Sequence, residues 1–256
     1  GQALVRSLLN KKVLRPDQIS VTNRSGGKLK KAEELGVKCY PTNEQLVEAT
    51  DIVFVAVKPQ DIGLVLESLA SVFDERHVLI SLAAGVSLSK LRKTVTATKR
   101  IVRIMPNTPV EIGQAVVGYC IDGGSNAGIE PLIRELLDPL GYAVAVTEGD
   151  AFEALTVSCG SGTGFVFELM QYWQEWIEEH GFSPEVARKM TVQTFLGGAL
   201  LANNDENLSL MDLQKRVASK KGVTAAGLDS MRELEVDRAL RYSFEKAVLR
   251  DRELGK

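Results

Sequence analysis

The sequence predicts two domains, a mainly parallel α/β domain over residues 1–149 and an all-α domain over residues 150–256. Short β-branched runs alternate with helical stretches through the first 147 residues, as they do in successive βαβ units. Beyond about residue 150 the strand patterns stop, and helical periodicity continues to the end of the chain. A length of 256 residues also suits two domains of about 100 to 200 residues each.

Helices and strands alternate in the α/β domain from residue 1 onward. The first segment is an amphipathic helix, so we expect the first strand of the domain to precede Gly1. Several strand segments are almost continuously apolar, which is typical of strands covered on both faces. The predicted strands are residues 19–22, 51–57, 78–83, 101–104, 115–121 and 143–147. The predicted helices are residues 1–12, 27–35, 43–49, 60–73, 88–93 and 129–140.

The helical domain carries recognisable start and stop residues. Ser183 and Pro184 suit the N-cap and the first position of a helix, and Glu185 suits its positive end. Gly181 is suited to end the helix before them. Apolar residues at the spacing of one buried face predict further helices at residues 208–219, 225–234 and 236–254.

Composition and charge exclude several functional classes. Lys and Arg total 31 against 33 Asp and Glu, so the chain lacks the basic field with which nucleic-acid-binding proteins hold phosphates. Apolar runs such as residues 52–57 are far shorter than the roughly 20 residues that span a membrane, and no signal peptide is recognisable. The three cysteines form no CxxC pair, so we expect buried thiols and no metal site. We expect a cytoplasmic protein that acts on a small molecule.

The beginning of the chain resembles part of a Rossmann-like dinucleotide-binding domain. Such domains place a pyrophosphate on a helix N-terminus behind a glycine-rich turn, because free amides and the helix dipole attract the anion. Gly1 has the position of the last glycine of that turn. An ordinary helix start is the alternative interpretation.

The end of the next predicted strand indicates which dinucleotide binds. Asn23, Arg24 and Ser25 lie about twenty residues beyond the proposed turn, where the adenosine ribose is bound in this fold. A carboxylate there binds the ribose 2′-hydroxyl of NAD, whereas an arginine with small polar neighbours favours the 2′-phosphate of NADP. We therefore predict NADP(H) as the preferred cofactor and NAD(H) as the second choice. The alternative is an exposed loop with a solvated arginine.

Two later strands end in small residues and turn formers. Ligands bind outside the carboxyl ends of parallel strands, and small side chains there permit a close approach to the backbone. The predicted cofactor-binding residues at these two ends are Ala56, Val57, Lys58, Pro59, Ala83, Ala84 and Gly85.

Three segments, in this order, resemble the pyrroline-5-carboxylate reductases. They are the Lys-Pro pair at residues 58–59, Ser-Leu-Ala-Ala-Gly at residues 81–85 and Arg-Ile-Met-Pro-Asn-Thr-Pro at residues 103–109. The resemblance covers essentially the whole chain, because it continues through residues 160–162, 217–228 and 250–254.

The resemblance implies hydride transfer from NAD(P)H to C5 of the cyclic imine 1-pyrroline-5-carboxylate, which gives L-proline. It adds Asn107 and Asn43 to the cofactor-binding residues, with Asn43 near the adenosine half; a helix N-cap is the alternative for Asn43. It also implies a homodimer formed through the helical domain, with further assembly into a decamer. The aromatic residues Tyr172, Trp173 and Trp176 are then expected in an interface or in the core.

The family's substrate loop corresponds to residues 219–224 of this sequence. In the family this loop begins a helix and holds the substrate carboxylate, which implies substrate binding by Ser219, Gly222, Val223 and Thr224. Thr224 matches the threonine that hydrogen-bonds the imine nitrogen or relays its proton, and is the predicted catalytic residue. A simple helix cap is its alternative role.

The same loop departs most from the family pattern. Lys220, Lys221 and Val223 stand where proline, glycine and threonine are usual. Without a glycine at residue 221, the backbone must reach the same shape with less freedom or adopt another shape. The two lysines either strengthen the attraction of a carboxylate or are simply solvated. A different cyclic imine, for example a six-membered ring, is therefore an alternative substrate.

Two other classes compete with this interpretation. The β-hydroxyacid dehydrogenases join similar domains but need a catalytic lysine on the helix after the Gly-Ser-Gly segment, and residues 165–179 contain no lysine. A non-catalytic relative that binds a nucleotide as a sensor or scaffold is the second alternative.

Overall fold

The computed structural model describes residues 1–123 and 128–255. The chain divides into two compact units, of which the first comprises residues 1–163 and 247–256 and the second residues 164–246. The first unit therefore includes the C-terminal end of the chain. The domain boundary predicted between residues 149 and 150 stays a prediction.

The first unit contains a two-stranded sheet and a five-stranded sheet. Strands β1 and β2 pair in parallel, and the larger sheet has the order β3-β4-β5-β6-β7. All neighbours in the larger sheet are parallel except β5 and β6. The strands are β1 Ser20–Val21, β2 Lys38–Cys39, β3 Ile52–Val55, β4 Val78–Ser81, β5 Arg100–Pro106, β6 Ala115–Ile121 and β7 Gly141–Ala145.

The larger sheet is buried on both faces. Leu79 of β4 belongs to one hydrophobic cluster, whereas its neighbours Val78 and Ile80 belong to another. Because side chains alternate along a strand, the two clusters lie on opposite faces of the sheet. All four residues of β4 are buried, as the continuous apolar run predicted.

Seven helices accompany these strands in the described part of the first unit. They are α1 Gln2–Asn10, α2 Gly26–Glu33, α3 Asn43–Glu48, α4 Ile62–Leu69, α5 Leu88–Thr94, α6 Ile129–Leu137 and α7 Asp150–Leu155. Thr42 and Ser87 cap α3 and α5, since each side chain accepts a hydrogen bond from an amide of the first turn. A five-residue π-helix, Thr156–Gly160, follows α7.

The second unit is entirely helical over its described length. Its helices are α8 Gly162–Glu179, α9 Pro184–Asn204, α10 Leu210–Val217, α11 Val223–Glu233 and the first part of α12, Val236–Leu254. Ser183 caps α9 and Pro184 occupies its first turn, which confirms the predicted helix start. Helix α12 continues into the first unit from residue 247.

The predicted fold class, a Rossmann-like α/β part followed by a helical part, is confirmed. The sequence did not reveal β2, which has only two residues, or the π-helix. The predicted helix at residues 129–140 ends at Leu137, and a 3-10 turn that contains Pro139 replaces its last part. The last predicted strand begins two residues earlier, at Gly141.

Candidate functional site

The predicted cofactor residues of the first unit follow neighbouring parallel strands. Val55, Ser81 and Arg103 are partners in register across β3, β4 and β5, and these strands run in the same direction. Residues 56–59 and 82–85 therefore leave the sheet at the same edge. This is the edge at which α/β folds of this type bind their ligands.

Gly1 lies at the same edge, next to Ala56. It is the N-cap of α1, and a Cβ atom at Gly1 would lie 3.3 Å from the Cβ atom of Ala56. The helix N-terminus thus approaches the end of β3 closely, with no side chain between them. The free amides of a first helical turn can receive a phosphate at such a place.

The segment after β1 forms a turn with an exposed guanidinium group. The Asn23 side chain accepts a hydrogen bond from the Ser25 amide at 2.9 Å, and Ser25 precedes α2 as its N-cap. The Arg24 side chain is 91% exposed and donates to the Asp61 carboxylate at 3.2 Å. Sequence reasoning missed Asp61, because it is 37 residues away and follows a different strand.

Asn43 is the first residue of α3 and is half-buried. Its alternative role as an N-cap is wrong, because Thr42 is the cap and accepts from the Gln45 amide at 3.3 Å. A role of Asn43 in cofactor binding stays a prediction.

The residues after β4 form a tight turn. The buried Ser81 hydroxyl accepts from the Ala83 amide at 3.3 Å, and Gly85 has a φ of +71°. A Cβ atom at Gly85 would lie 2.5 Å from the carbonyl oxygen of Asp251 and 2.6 Å from the nitrogen of Gly255. Glycine is therefore required at residue 85 both by the backbone angle and by the end of α12 that packs on it.

Ionisable side chains lie near this turn. Arg103 is buried and donates from Nη1 to Oε1 of Glu148 at 2.9 Å. Burial raises the pKa of the Asp251 carboxyl, the charge of Arg103 opposes this shift, and Glu153 adds to it. The pKa of Glu153 is lowered by its hydrogen bonds from Arg252. The sequence contains these residues, but nothing in their spacing indicates that they meet.

Asn107 connects the end of β5 to the π-helix. Its Nδ2 donates to the carbonyl oxygen of Cys159 at 3.3 Å, and its Oδ1 accepts from the Val116 amide at 3.0 Å. Gly160 allows the close approach, because a Cβ atom there would lie 3.3 Å from Cγ of Met105. Asn107 thus forms hydrogen bonds to both β6 and the π-helix near the edge of the sheet. Its contact with a cofactor stays a prediction.

The predicted substrate loop lies in the second unit and begins α11. Gly222 is the N-cap, and its amide donates to the Ser219 carbonyl at 2.9 Å. Lys221 has a φ of +60°, so a lysine adopts the left-handed conformation for which glycine is suited. Val223 and Thr224 are exposed. The alternative role of Thr224 as the helix cap is wrong, because it is the second residue of α11.

The described residues offer neither a metal site nor a membrane-spanning helix. Among residues 1–123 and 128–255, no cluster of three His, Cys, Asp or Glu side chains could hold a metal ion. None of the helices in the same ranges is long and apolar enough to cross a membrane. A shallow pocket lies between the C-terminal half of α1 and the following turn, and it contains none of the predicted site residues.

The fold and the residues at this edge define a class, the oxidoreductases that join a Rossmann-like dinucleotide domain to a helical domain. Residues 1–85 match the family model of NADP oxidoreductases described as coenzyme F420-dependent. Residues 149–254 match the family model of pyrroline-5-carboxylate reductase dimerisation.

Full-length relatives identify the family within that class. A pyrroline-5-carboxylate reductase of Methanosarcina acetivorans is 30% identical over 100% of this chain and 94% of its own length. The solved structure of a pyrroline-5-carboxylate reductase from Coxiella burnetii is 30% identical, with a TM-score of 0.89 over 99% of this chain and 96% of that one. A Plasmodium falciparum pyrroline carboxylate reductase solved with NADP bound shares the fold, at 23% identity and a TM-score of 0.89 over 100% and 94% of the two chains. The chain belongs to the pyrroline-5-carboxylate reductase family.

Proposed function

We propose that this protein reduces 1-pyrroline-5-carboxylate to L-proline with NADPH. The observation that carries the proposal is the edge of the sheet at which Gly1, the segment 56–59 and the segment 82–85 come together, in a chain that belongs to this family. In the balanced reaction, the imine accepts a hydride at C5 and a proton at nitrogen. The products are L-proline and NADP⁺.

The residues at this edge suit a dinucleotide. The N-terminus of α1 next to Ala56 offers amides for the pyrophosphate, with no intervening side chain. The exposed guanidinium of Arg24 suits a 2′-phosphate, and a related structure holds NADP. A bound reduced nicotinamide would supply the hydride, and the protein's main contribution is then the orientation of the imine carbon.

The turn at residues 219–222 supports substrate binding by the second unit. Helix α11 begins at Val223, so the amides of its first turn lack intrahelical partners and can receive a carboxylate. Lys220 and Lys221 are exposed beside these amides and add positive charge. The Thr224 hydroxyl is exposed in the same turn, and we assign it the hydrogen bond to the imine nitrogen.

The assembly is part of the proposal. The match to a dimerisation family model supports a homodimer formed through the helical part, and a decamer is its proposed larger form. The cytoplasmic location is likewise proposed, as expected from the sequence.

A spectrophotometric assay tests the proposal. NADPH and NADH are each combined with the five-membered imine 1-pyrroline-5-carboxylate and with a six-membered analogue, and cofactor oxidation is followed. We expect the highest kcat/KM with NADPH and the five-membered ring. Preference for the six-membered ring would instead assign the other imine. Cofactor binding without turnover of either would indicate a non-catalytic relative.

Thr224→Ala tests the catalytic assignment within the same assay. We expect kcat to fall by about 10² to 10⁴, the usual contribution of a positioned proton donor, while NADPH affinity stays unchanged. Thr224→Ser keeps the hydroxyl and should retain most of the activity. Unchanged kcat in the alanine variant would remove Thr224 from the reaction.

A further inference from the structure

A carboxylate lies beside Arg24, the residue predicted to bind the 2′-phosphate of NADPH. Oδ2 of Asp61 accepts a hydrogen bond from Nη2 of Arg24 at 3.2 Å. The end of β1 has no carboxylate of its own, because residues 22–25 are Thr-Asn-Arg-Ser. Asp61 ends the 3-10 turn that follows β3, so an acid reaches this position from a different strand end.

The Asp61 side chain is directed to Arg24 and not to its own helix. Asp61 is the N-cap residue of α4, a position at which an aspartate usually accepts a hydrogen bond from an amide of the first turn. Its carboxylate makes no such bond. The guanidinium of Arg24 is the donor to this carboxylate instead, which ties the aspartate to the arginine.

The backbone on each side of this ion pair is held in a turn. The Ser25 amide donates to Oδ1 of Asn23 at 2.9 Å, which closes the turn that carries Arg24. The Asp61 amide donates to the carbonyl oxygen of Lys58 at 2.9 Å. The Arg24 side chain is much more exposed than that of Asp61, at 91% against 32%. The aspartate is therefore the better fixed partner, and the arginine has room to meet another anion.

We propose that Asp61 is a specificity-determining residue, whose carboxylate competes with the 2′-phosphate of NADPH for the Arg24 guanidinium. The inference rests on the proposed function, because it assumes that the adenosine end of the cofactor lies at Arg24. NADH has a hydroxyl in place of this phosphate, so its binding leaves the ion pair intact. NADPH brings a second anion to the same guanidinium, and repulsion between the phosphate and the Asp61 carboxylate weakens its binding. Asp61 thereby narrows the preference for NADPH that Arg24 creates.

Substitutions that keep or remove the charge of Asp61 test this competition. Asp61→Asn removes the charge at nearly constant size, whereas Asp61→Glu keeps it. Asp17→Asn is the matched control, because Asp17 also pairs with an exposed arginine, Arg15, at 3.1 Å. Asp17 precedes β1 and therefore lies at the opposite end of that strand from Arg24. The two asparagine variants change the net charge by the same amount.

The experiment measures the dissociation constants of NADPH and NADH for each variant by fluorescence titration at low and at moderate ionic strength. We expect Asp61→Asn to bind NADPH about threefold to fivefold more tightly, since the interactions of exposed charges are weak. Its affinity for NADH should stay within about twofold of that of the unsubstituted protein, as should both affinities of Asp61→Glu and Asp17→Asn. The gain for NADPH should shrink as the salt concentration rises, because salt screens exposed charges.

Three results would overturn the proposal. An NADPH affinity that is unchanged or lower in Asp61→Asn is the first, and a lower one would mean that the carboxylate orients Arg24 for the phosphate. Equal gains for NADPH and NADH are the second, and an equal gain in Asp17→Asn is the third. Each of these leaves the proposed function untouched. If NADPH binds more tightly as expected but no imine is reduced, the proposed function fails and the role of Asp61 stands. A protein that binds neither cofactor overturns both.

Discussion

The guanidinium of Arg24 has two competing partners at the cofactor edge. In the structure it contacts the Asp61 carboxylate at 3.2 Å, whereas we propose that it binds a 2′-phosphate. The Arg24 side chain is 91% exposed, so its pair with Asp61 contributes little stability and can be exchanged for a phosphate. The same Asp61 would repel a phosphate if Arg24 were absent.

Arg24→Ala should therefore weaken the binding of NADPH much more than that of NADH. We expect about a tenfold loss of NADPH affinity, the lower end of the range for a hydrogen bond to a charged group, because the site is exposed. Dissociation constants for both cofactors, measured by fluorescence titration, check this result. Arg15→Ala is the control, since Arg15 is also exposed and pairs with Asp17. Equal losses for the two cofactors would contradict the assignment of Arg24.

Candidate site residues that directly follow a strand could be predicted from the sequence. Contacts between residues distant in the chain could not. Ala56 and Gly85 were predicted from strand ends, because parallel strands bring their carboxyl ends to one edge whatever the loops contain. Gly1 was predicted from its position at the start of the first helix. The contacts of Asp61 with Arg24 and of Glu148 with Arg103 could not be predicted, since each joins elements distant in sequence.

At the scale of elements, the turn before α11 accommodates a lysine at residue 221, where glycine is usual in the family. Lys221 adopts a φ of +60°, and the amide of Gly222 closes the turn on Ser219. From the sequence, the backbone at Lys221 could either keep the shape that a glycine allows or adopt another shape. In the structure it has the left-handed conformation for which glycine is suited. A side chain in this conformation costs roughly 1 to 2 kcal/mol relative to a right-handed one.

Lys221→Gly should relieve that cost and raise the free energy of unfolding. We expect a gain of about 0.5 to 1 kcal/mol, because the greater freedom of glycine in the unfolded chain offsets part of the relief. Urea unfolding at a fixed protein concentration measures the change. Lys220→Gly is the control and should destabilise, since Lys220 is not among the described residues with a positive φ. A loss of stability in the Lys221 variant would contradict the strained turn.

Elements with long apolar runs were predicted well, and those defined by tertiary contacts were not. Strand β6 has its predicted bounds, because its pattern spans seven residues. Strand β2 consists of only Lys38 and Cys39, so its pairing with β1 leaves no periodicity to detect. The π-helix packs Gly160 against Met105 and accepts the Asn107 hydrogen bond, and neither contact is local in sequence.

At the scale of the whole molecule, α12 links the two compact units in a way that local patterns do not reveal. Its periodicity predicted one continuous helix, and the helix is indeed continuous from Val236 to Leu254. Its last turn nevertheless belongs to the first unit, through the buried Asp251 and the ion pairs of Arg252. The continuity of α12 therefore does not mark where one unit ends and the other begins.

The helical unit exposes much of its apolar surface. On α9, Val192, Leu196 and Leu200 recur at four-residue spacing, and their exposed fractions are 39%, 48% and 53%. On α8, Trp173 and Trp176 are exposed by 50% and 61%. Apolar stripes of this kind mark interaction surfaces, and this segment matches a dimerisation family model.

Leu196→Arg should therefore shift the protein towards the monomer. An arginine at the centre of the α9 stripe would place an unpaired charge in the subunit interface, while its helix propensity is close to that of leucine. Static light scattering over a range of concentrations should give at least twice the chain mass for the unsubstituted protein and a smaller mass for the variant. Leu64→Arg is the matched control, because Leu64 is 74% exposed on α4 of the first unit and should leave the mass unchanged. A monomeric unsubstituted protein at assay concentration, or equal masses for the two variants, would contradict assembly through the helical unit.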